Sequence, residues 1–217
     1  MPDPMRARFD AIVFDLLTAL IDSWSLWNSV AGSGTKGFAW RERYLEITYG
    51  CGTYRPYETL VREAAVQAGL PAELGAELER RWKELSPWPE AGSVLSGLAQ
   101  HLPLAVATNC SDRLAWIAAN RTGARFGTIV TAENVGFYKP RPEVYRAVLA
   151  RLGTEPARTL FVAGSASDVP GAKGIGMPVY WHNRIGLRPR NDARPDIMKA
   201  SLQPLVEYAG VCSGRDA

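Results

Sequence analysis

Five short runs, AIVFDL (residues 11–16), LAVA (104–107), TIVT (128–131), TLFVA (159–163) and PVYW (178–181), are apolar almost without alternation. A strand with one face in water alternates apolar and polar residues. Continuous runs of this length suit strands covered on both faces, as in a parallel sheet. Helix-period patterns lie between them at 112–120, 142–152 and 168–175. Strand and helix therefore alternate, and the expected class is α/β: a doubly wound parallel sheet of Rossmann-like build.

The stretch between the first two runs breaks this rhythm. Residues 23–88 show helical patterns at 39–49, 56–68 and 72–85 but no convincing strand. They are rich in aromatics: Trp24, Trp27, Phe38, Trp40, Tyr44, Tyr49, Tyr54 and Tyr57. This reads as a helical cap, 23–88, inserted into a core made of 1–22 and 89–217, with SPWPE (86–90) a proline-stiffened return. Most of the cap aromatics are expected to pack among themselves, since aromatics dominate small cores. A chain of 217 residues suffices for one core plus such a unit, and hence for one active site.

Ligands of open α/β sheets bind beyond the carboxyl ends of the strands. Asp15, Thr108, Asn109, Lys139 and the segment 163–168 would gather there, under the cap. Composition narrows what they can do. With only His101 and His182 in the chain, a multi-histidine metal site is excluded. The three cysteines, Cys51, Cys110 and Cys212, lack metal-ligand spacing, and Cys110 reads as a small buried residue. The chemistry falls mainly to carboxylates.

The net charge of +3 is scattered, so no nucleic-acid partner is expected. The densest basic piece, RIGLRPRNDAR (184–194), reads as a solvated loop. No run is long enough to span a bilayer, so no membrane partner is expected. The opening MPDPMRARFD has no apolar signal segment, which makes the cytoplasm the expected compartment.

Four pieces stand in order: Asp15 after an apolar strand, Thr108-Asn109 in AVATNCS, Lys139 in YKPRPEVY, and Asp168 in FVAGSASDVPGAKGIG. Together they resemble the haloacid dehalogenase superfamily over nearly the whole chain. Phosphatases of that superfamily carry a second aspartate two positions after the nucleophile and a further acid in the last motif. Here those places hold Leu17 and Ala163-Gly164-Ser165. A hard cation then lacks its usual oxygen ligands, so neither metal nor other cofactor is expected.

Both losses resemble the L-2-haloacid dehalogenase branch. WRERYLE (40–46) looks like that branch's cap segment with the arginine that draws off the halide, which puts Arg41 in that role, and KPRPEVY supplies Lys139 and Tyr145 at the branch's spacing. Ser165 stands where the branch has asparagine and Ala163 where it has serine; Ala19 replaces its threonine, with Thr18 one place earlier.

The resemblance implies a catalytic set of Asp15, Lys139, Asp168 and Asn109, with Leu16, Arg41, Thr108, Tyr145 and Ser165 around substrate and halide. Asp15 would attack C2 of a short 2-haloacid, and Asp168 would activate water to hydrolyse the ester, with Asn109 donating to developing charge. A homodimer is compatible with the resemblance.

Three other readings stay open: a Mg²⁺-dependent phosphatase of the same fold, a hydrolase opening another activated carbon bond in a small acid, and a silent binding protein. So do plainer roles for single residues. Asp168 could cap a helix starting at Val169, Lys139 could be a solvated loop lysine, and Arg41 could sit on the surface paired with Glu42 or Glu46. Asp22 reads as local structure.

Overall fold

Strand β1 (Ala11–Phe14) is buried at every position, and its side chains leave on alternate faces. Ile12 and Phe14 enter one apolar core and Val13 another, on the opposite side of the sheet. The computed structural model describes residues 7–189, 192 and 194–211. After β1 the chain runs through α1 (Ser23–Ala31), α2 (Gly34–Gly50), α3 (Tyr57–Gln67) and α4 (Glu73–Arg80), closed by a 3₁₀ turn at Trp82–Glu84. It then enters α5 (Ala91–Ala99), β2 (Leu104–Thr108), α6 (Asp112–Arg121), β3 (Thr128–Thr131), α7 (Ala132–Val135) and α8 (Pro142–Leu152). Strand β4 (Thr159–Ala163), α9 (Asp168–Gly174), β5 (Val179–His182), β6 (Ile197–Lys199) and α10 (Leu205–Tyr208) complete it.

The six strands form one sheet in the order β3-β2-β1-β4-β5-β6, parallel throughout. The chain lays β2 and β3 to one side of β1, then returns to lay β4, β5 and β6 on the other. The order thus reverses between β1 and β4, where Phe14 sits beside Val162. In a doubly wound sheet the crevice opens at this reversal.

The five apolar runs are β1 to β5, with ends shifted by at most two residues. The sixth strand escaped notice because it is three residues long on a partly exposed edge, with Met198 half in solvent, so burial left no pattern in it. Residues 23–88 contain helices and isolated bridges but no strand. Their aromatics form a chain of ring contacts: Trp27 to Trp40 (4.7 Å), Trp27 to Tyr44 (5.8 Å), Tyr44 to Tyr57 (5.3 Å) and Tyr57 to Trp82 (5.9 Å). Asp22 caps α1 by accepting from the Ser25 amide, the local role expected of it. No helix among the described residues is long and apolar enough to cross a membrane. Cys212, the first six residues, and 190, 191 and 193 of the basic piece lie outside the described residues.

Candidate active site

Asp15 follows β1 directly, so the strand delivers its carboxylate to the crevice. The next turn folds back over it. Thr18 donates to Oδ2 through both its amide (3.0 Å) and its hydroxyl (2.6 Å), and the Ala19 amide adds a third bond at 3.3 Å. Gly164, after β4, lies so close that a Cβ there would strike the Thr18–Ala19 backbone. Trp88 clamps the turn from the return segment, its indole N–H donating to the Thr18 carbonyl at 3.0 Å.

Lys139 is buried between two carboxylates: Nζ lies 2.8 Å from Asp15 Oδ1 and 3.0 Å from Asp168 Oδ1. Asn109 holds the lysine's backbone from both sides. Its Nδ2 donates to the Lys139 carbonyl (2.9 Å) and its Oδ1 accepts from the Lys139 amide (2.7 Å). Asp168 opens α9 without capping it, and the Tyr145 hydroxyl reaches its Oδ1 at 3.4 Å.

The two acids are displaced in opposite directions. Burial pushes the Asp15 carboxyl up, but the Lys139 charge and the bonds from Lys139 and Thr18 outweigh it and hold it below the ordinary aspartate value. Burial and the negative charge of Asp15 raise Asp168 despite Lys139 and a bond from Ser165. Burial works against the Lys139 ammonium, yet its two acidic partners lift it above the ordinary lysine value. The site therefore keeps one firmly ionised carboxylate beside a more basic one.

A cavity of about 530 Å³ opens over these groups. Asp15, Thr108, Asn109, Lys139, Ser165 and Asp168 form its floor, and α1 and α2 contribute Trp24, Phe38, Arg41, Tyr44 and Tyr49. Arg41 is only 6% exposed. Its guanidinium lies 4.2 Å from the Trp24 ring centre and donates to Ser23 Oγ at 2.6 Å, while that hydroxyl donates to the Leu17 carbonyl. Burial disfavours the Arg41 charge. The Thr108 hydroxyl is buried beside the Cys110 thiol. No three His, Cys, Asp or Glu side chains among them converge as a metal set, and Leu17 lines the cavity where a phosphatase of this fold would place its second aspartate. The residues present do not fit a bound Mg²⁺.

The family model for haloacid dehalogenase-like hydrolases matches residues 9–176, most of the chain. The chain belongs to this family. Among curated relatives, (S)-2-haloacid dehalogenase of Xanthobacter autotrophicus is 26% identical over 217 aligned positions, covering 91% of this chain and 83% of the relative. (S)-2-haloacid dehalogenase H-109 of Pseudomonas putida is 29% identical over 194, covering 82% and 87%. A crystal structure of a dehalogenase with an intermediate complex superimposes with a TM-score of 0.84 at 26% identity, covering 94% of this chain and 98% of that one.

Within this haloacid dehalogenase-like frame, the structure brings together Asp15, Lys139, Asp168, Asn109, Thr108, Ser165 and Arg41 around one cavity. The side chains of two residues expected around the substrate do not line the cavity. Leu16 is wholly buried in the apolar core, because the tight turn sends its side chain away and presents Leu17 and Thr18 instead. Tyr145 is buried behind Asp168 and reaches it from the protein side. Asn109, expected to donate to developing charge, commits one amide N–H and its oxygen to the Lys139 backbone, and it lines the cavity with a second N–H left.

The plainer roles fare differently. Lys139 is not solvated. Arg41 is not a surface residue, and Glu46 bonds to Arg43 instead. Thr18 supplies the hydroxyl that Ala19 lacks.

Sequence reasoning also missed one wall. The basic loop expected in solvent contributes Ile185, Gly186, Leu187, Arg188 and Pro189 to the cavity. Glu90 anchors it, accepting from Arg184 Nη1 (2.8 Å), Ser201 Oγ (3.0 Å) and the Leu202 amide (3.2 Å). Beside it His182, held below its ordinary pKa by burial, meets the Ala19 carbonyl through Nδ1 at 2.8 Å. The only sequence signal for this wall was its closeness to the fifth apolar run.

Proposed function

We propose that this hydrolase removes halide from 2-haloacids without a metal, through an aspartyl ester on Asp15. The observation that carries the reading is Lys139 held between two buried carboxylates whose proton affinities are driven apart. A buried carboxylate kept ionised attacks saturated carbon without a base to activate it. Pairs of acids separated by environment in this way divide nucleophile from base.

In this reading Asp15 displaces halide from C2, forming a C2–O bond as the C2–halogen bond breaks. The halide departs toward Arg41, and the substrate carboxylate takes the Thr108 hydroxyl on the cavity floor. Asp168 then removes a proton from water, which attacks the Asp15 carboxyl carbon. The acyl–oxygen bond breaks, C2 keeps the aspartate's oxygen, which takes the proton held by Asp168, and a 2-hydroxyacid leaves as the regenerated Asp15 carboxyl gives its own proton to solvent. Because C2 is substituted only once, its configuration inverts. Residues 1–22 and 89–217 serve as the catalytic core, and 23–88 as the cap that supplies Arg41. The relatives' names support the carbon–halogen bond as the one cleaved.

Halide release from racemic 2-chloropropanoate, measured with and without EDTA, tests the reading. Release unaffected by chelator is expected. A loss that Mg²⁺ restores, or phosphate-ester turnover in place of halide release, would overturn it.

A further inference from the structure

The cavity is far larger than a short 2-haloacid requires. Its 530 Å³ lies in the range of about 300–1,000 Å³ that suits drug-sized ligands. At about 30 Å³ per water it would hold on the order of 15 to 20 molecules, several times what 2-chloropropanoate would displace. Beyond the floor, polar groups also reach the walls at Arg41, Glu42, Tyr44, Tyr49 and Arg188. The apolar part of those walls includes Trp24, Phe38, Leu45, Ile185 and Leu187. Trp24 and Phe38 stack with centroids 5.7 Å apart and ring planes 19° from parallel.

Two of the large apolar side chains left in solvent, Phe38 at 39% and Ile185 at 42% exposure, belong to this same cavity. Apolar surface gathered at a pocket mouth marks a place where something apolar is to be covered. Charge argues against a second anion: the lining carries three cations, Arg41, Lys139 and Arg188, and three carboxylates, Asp15, Asp168 and Glu42. A further carboxylate on the substrate would meet no surplus positive charge.

We propose that the cavity selects 2-haloacids bearing an aryl-sized apolar group on C3, seated against Trp24, Phe38 and Ile185. The proposal rests on the dehalogenase reading and deepens it. With C2 held at Asp15 and the carboxylate at Thr108, the C3 substituent is the part of the substrate free to run toward the mouth. Burying it removes both its own apolar surface and that of the exposed wall from water, and the gain goes to kcat/KM because the seated ring also fixes C2 in line with Asp15.

Halide release from 2-chloropropanoate, 2-chlorohexanoate and 2-chloro-3-phenylpropanoate decides it. The phenyl compound is expected to exceed 2-chloropropanoate in kcat/KM by at least fivefold, with the hexanoate between them. Phe38→Ala and Ile185→Ala should each lower the phenyl-to-methyl ratio at least threefold. That ratio is taken within one preparation, so a partly inactive variant does not distort it. A wild-type ratio below five, or one that both variants leave in place, overturns the proposal while active 2-chloropropanoate leaves the dehalogenase reading standing. Silence on all three acids overturns both.

Discussion

Asp15 and Asp168 are the same side chain at nearly the same burial, and their neighbours alone make them different acids. Asp15 collects donors, whereas Asp168 faces a negative charge and shares the lysine. Asp15→Asn should therefore form no adduct with a 2-haloacid, while Asp168→Asn should expel about one halide per chain and stall as the ester; intact-protein mass spectrometry reads both. The same asymmetry governs stability. The depressed Asp15 contributes stability above the ordinary aspartate value of 3.8 that is lost as pH falls through its lower folded value. The raised Asp168 does the reverse, its ionised form costing stability as pH rises from 3.8 through its folded value. At pH 7 Asp15→Asn should lose about 2 kcal/mol, the worth of a charged hydrogen bond, and Asp168→Asn should melt higher than the wild type. Below pH 3.8 that advantage should vanish, which thermal melts across pH will show. Tyr145→Phe removes a donor to Asp168, so the acid limb of kcat should move to higher pH; an unmoved limb would leave the tyrosine a packing residue.

Helix α2 reaches the nucleophile's turn through a short relay, Arg41 to Ser23 to the Leu17 carbonyl. The role that the resemblance implies for Arg41 makes its loss slow halide release far more than it unfolds the chain. Its burial and its bond to Ser23 add a structural cost. Arg41→Ala should lower halide release by roughly 100-fold, as loss of one charge-stabilising donor does, and should also cost about 2 kcal/mol of stability. Single-turnover halide release and melting curves of the same preparation separate the two effects. On the opposite wall, Glu90 ties the 184–189 loop to the core through Arg184. Glu90→Gln keeps the shape and loses the charge, so the loop should loosen; KM is expected to rise more than kcat falls, and an unchanged KM would detach the loop from binding.

The whole site is assembled from distant pieces: one turn after β1, two helices inserted behind it, the ends of β2 and β4, the Lys139 segment and the loop after β5. The lining comes from both the helices of 23–88 and the strand ends, so a substrate carbon fixed to Asp15 should add a further tie between them. A trapped ester should therefore raise the melting temperature of Asp168→Asn by several degrees, given about 2–4 °C per kcal/mol for a chain of this size. Asp15→Asn treated alike should not shift. A shift in both would mean that reversible binding, and not the covalent link, joins the halves.

The sequence by itself determined the parallel sheet, because strands covered on both faces leave uninterrupted apolar runs such as AIVF and TLFVA. It also determined which residues could do the chemistry, since Asp15, Lys139 and Asp168 sit at strand ends or in family motifs that spacing preserves. Only the tertiary structure decided how they are used. The opposite displacement of two identical carboxylates depends on distances between residues 153 positions apart, which no local pattern carries. Nor does sequence say that a basic, glycine- and proline-bearing loop will turn its Ile185 and Leu187 onto the cavity, or that Leu16 will turn inward and Leu17 outward. Those outcomes follow from how a turn and a loop settle against surfaces that exist only once the sheet has closed its order around β1.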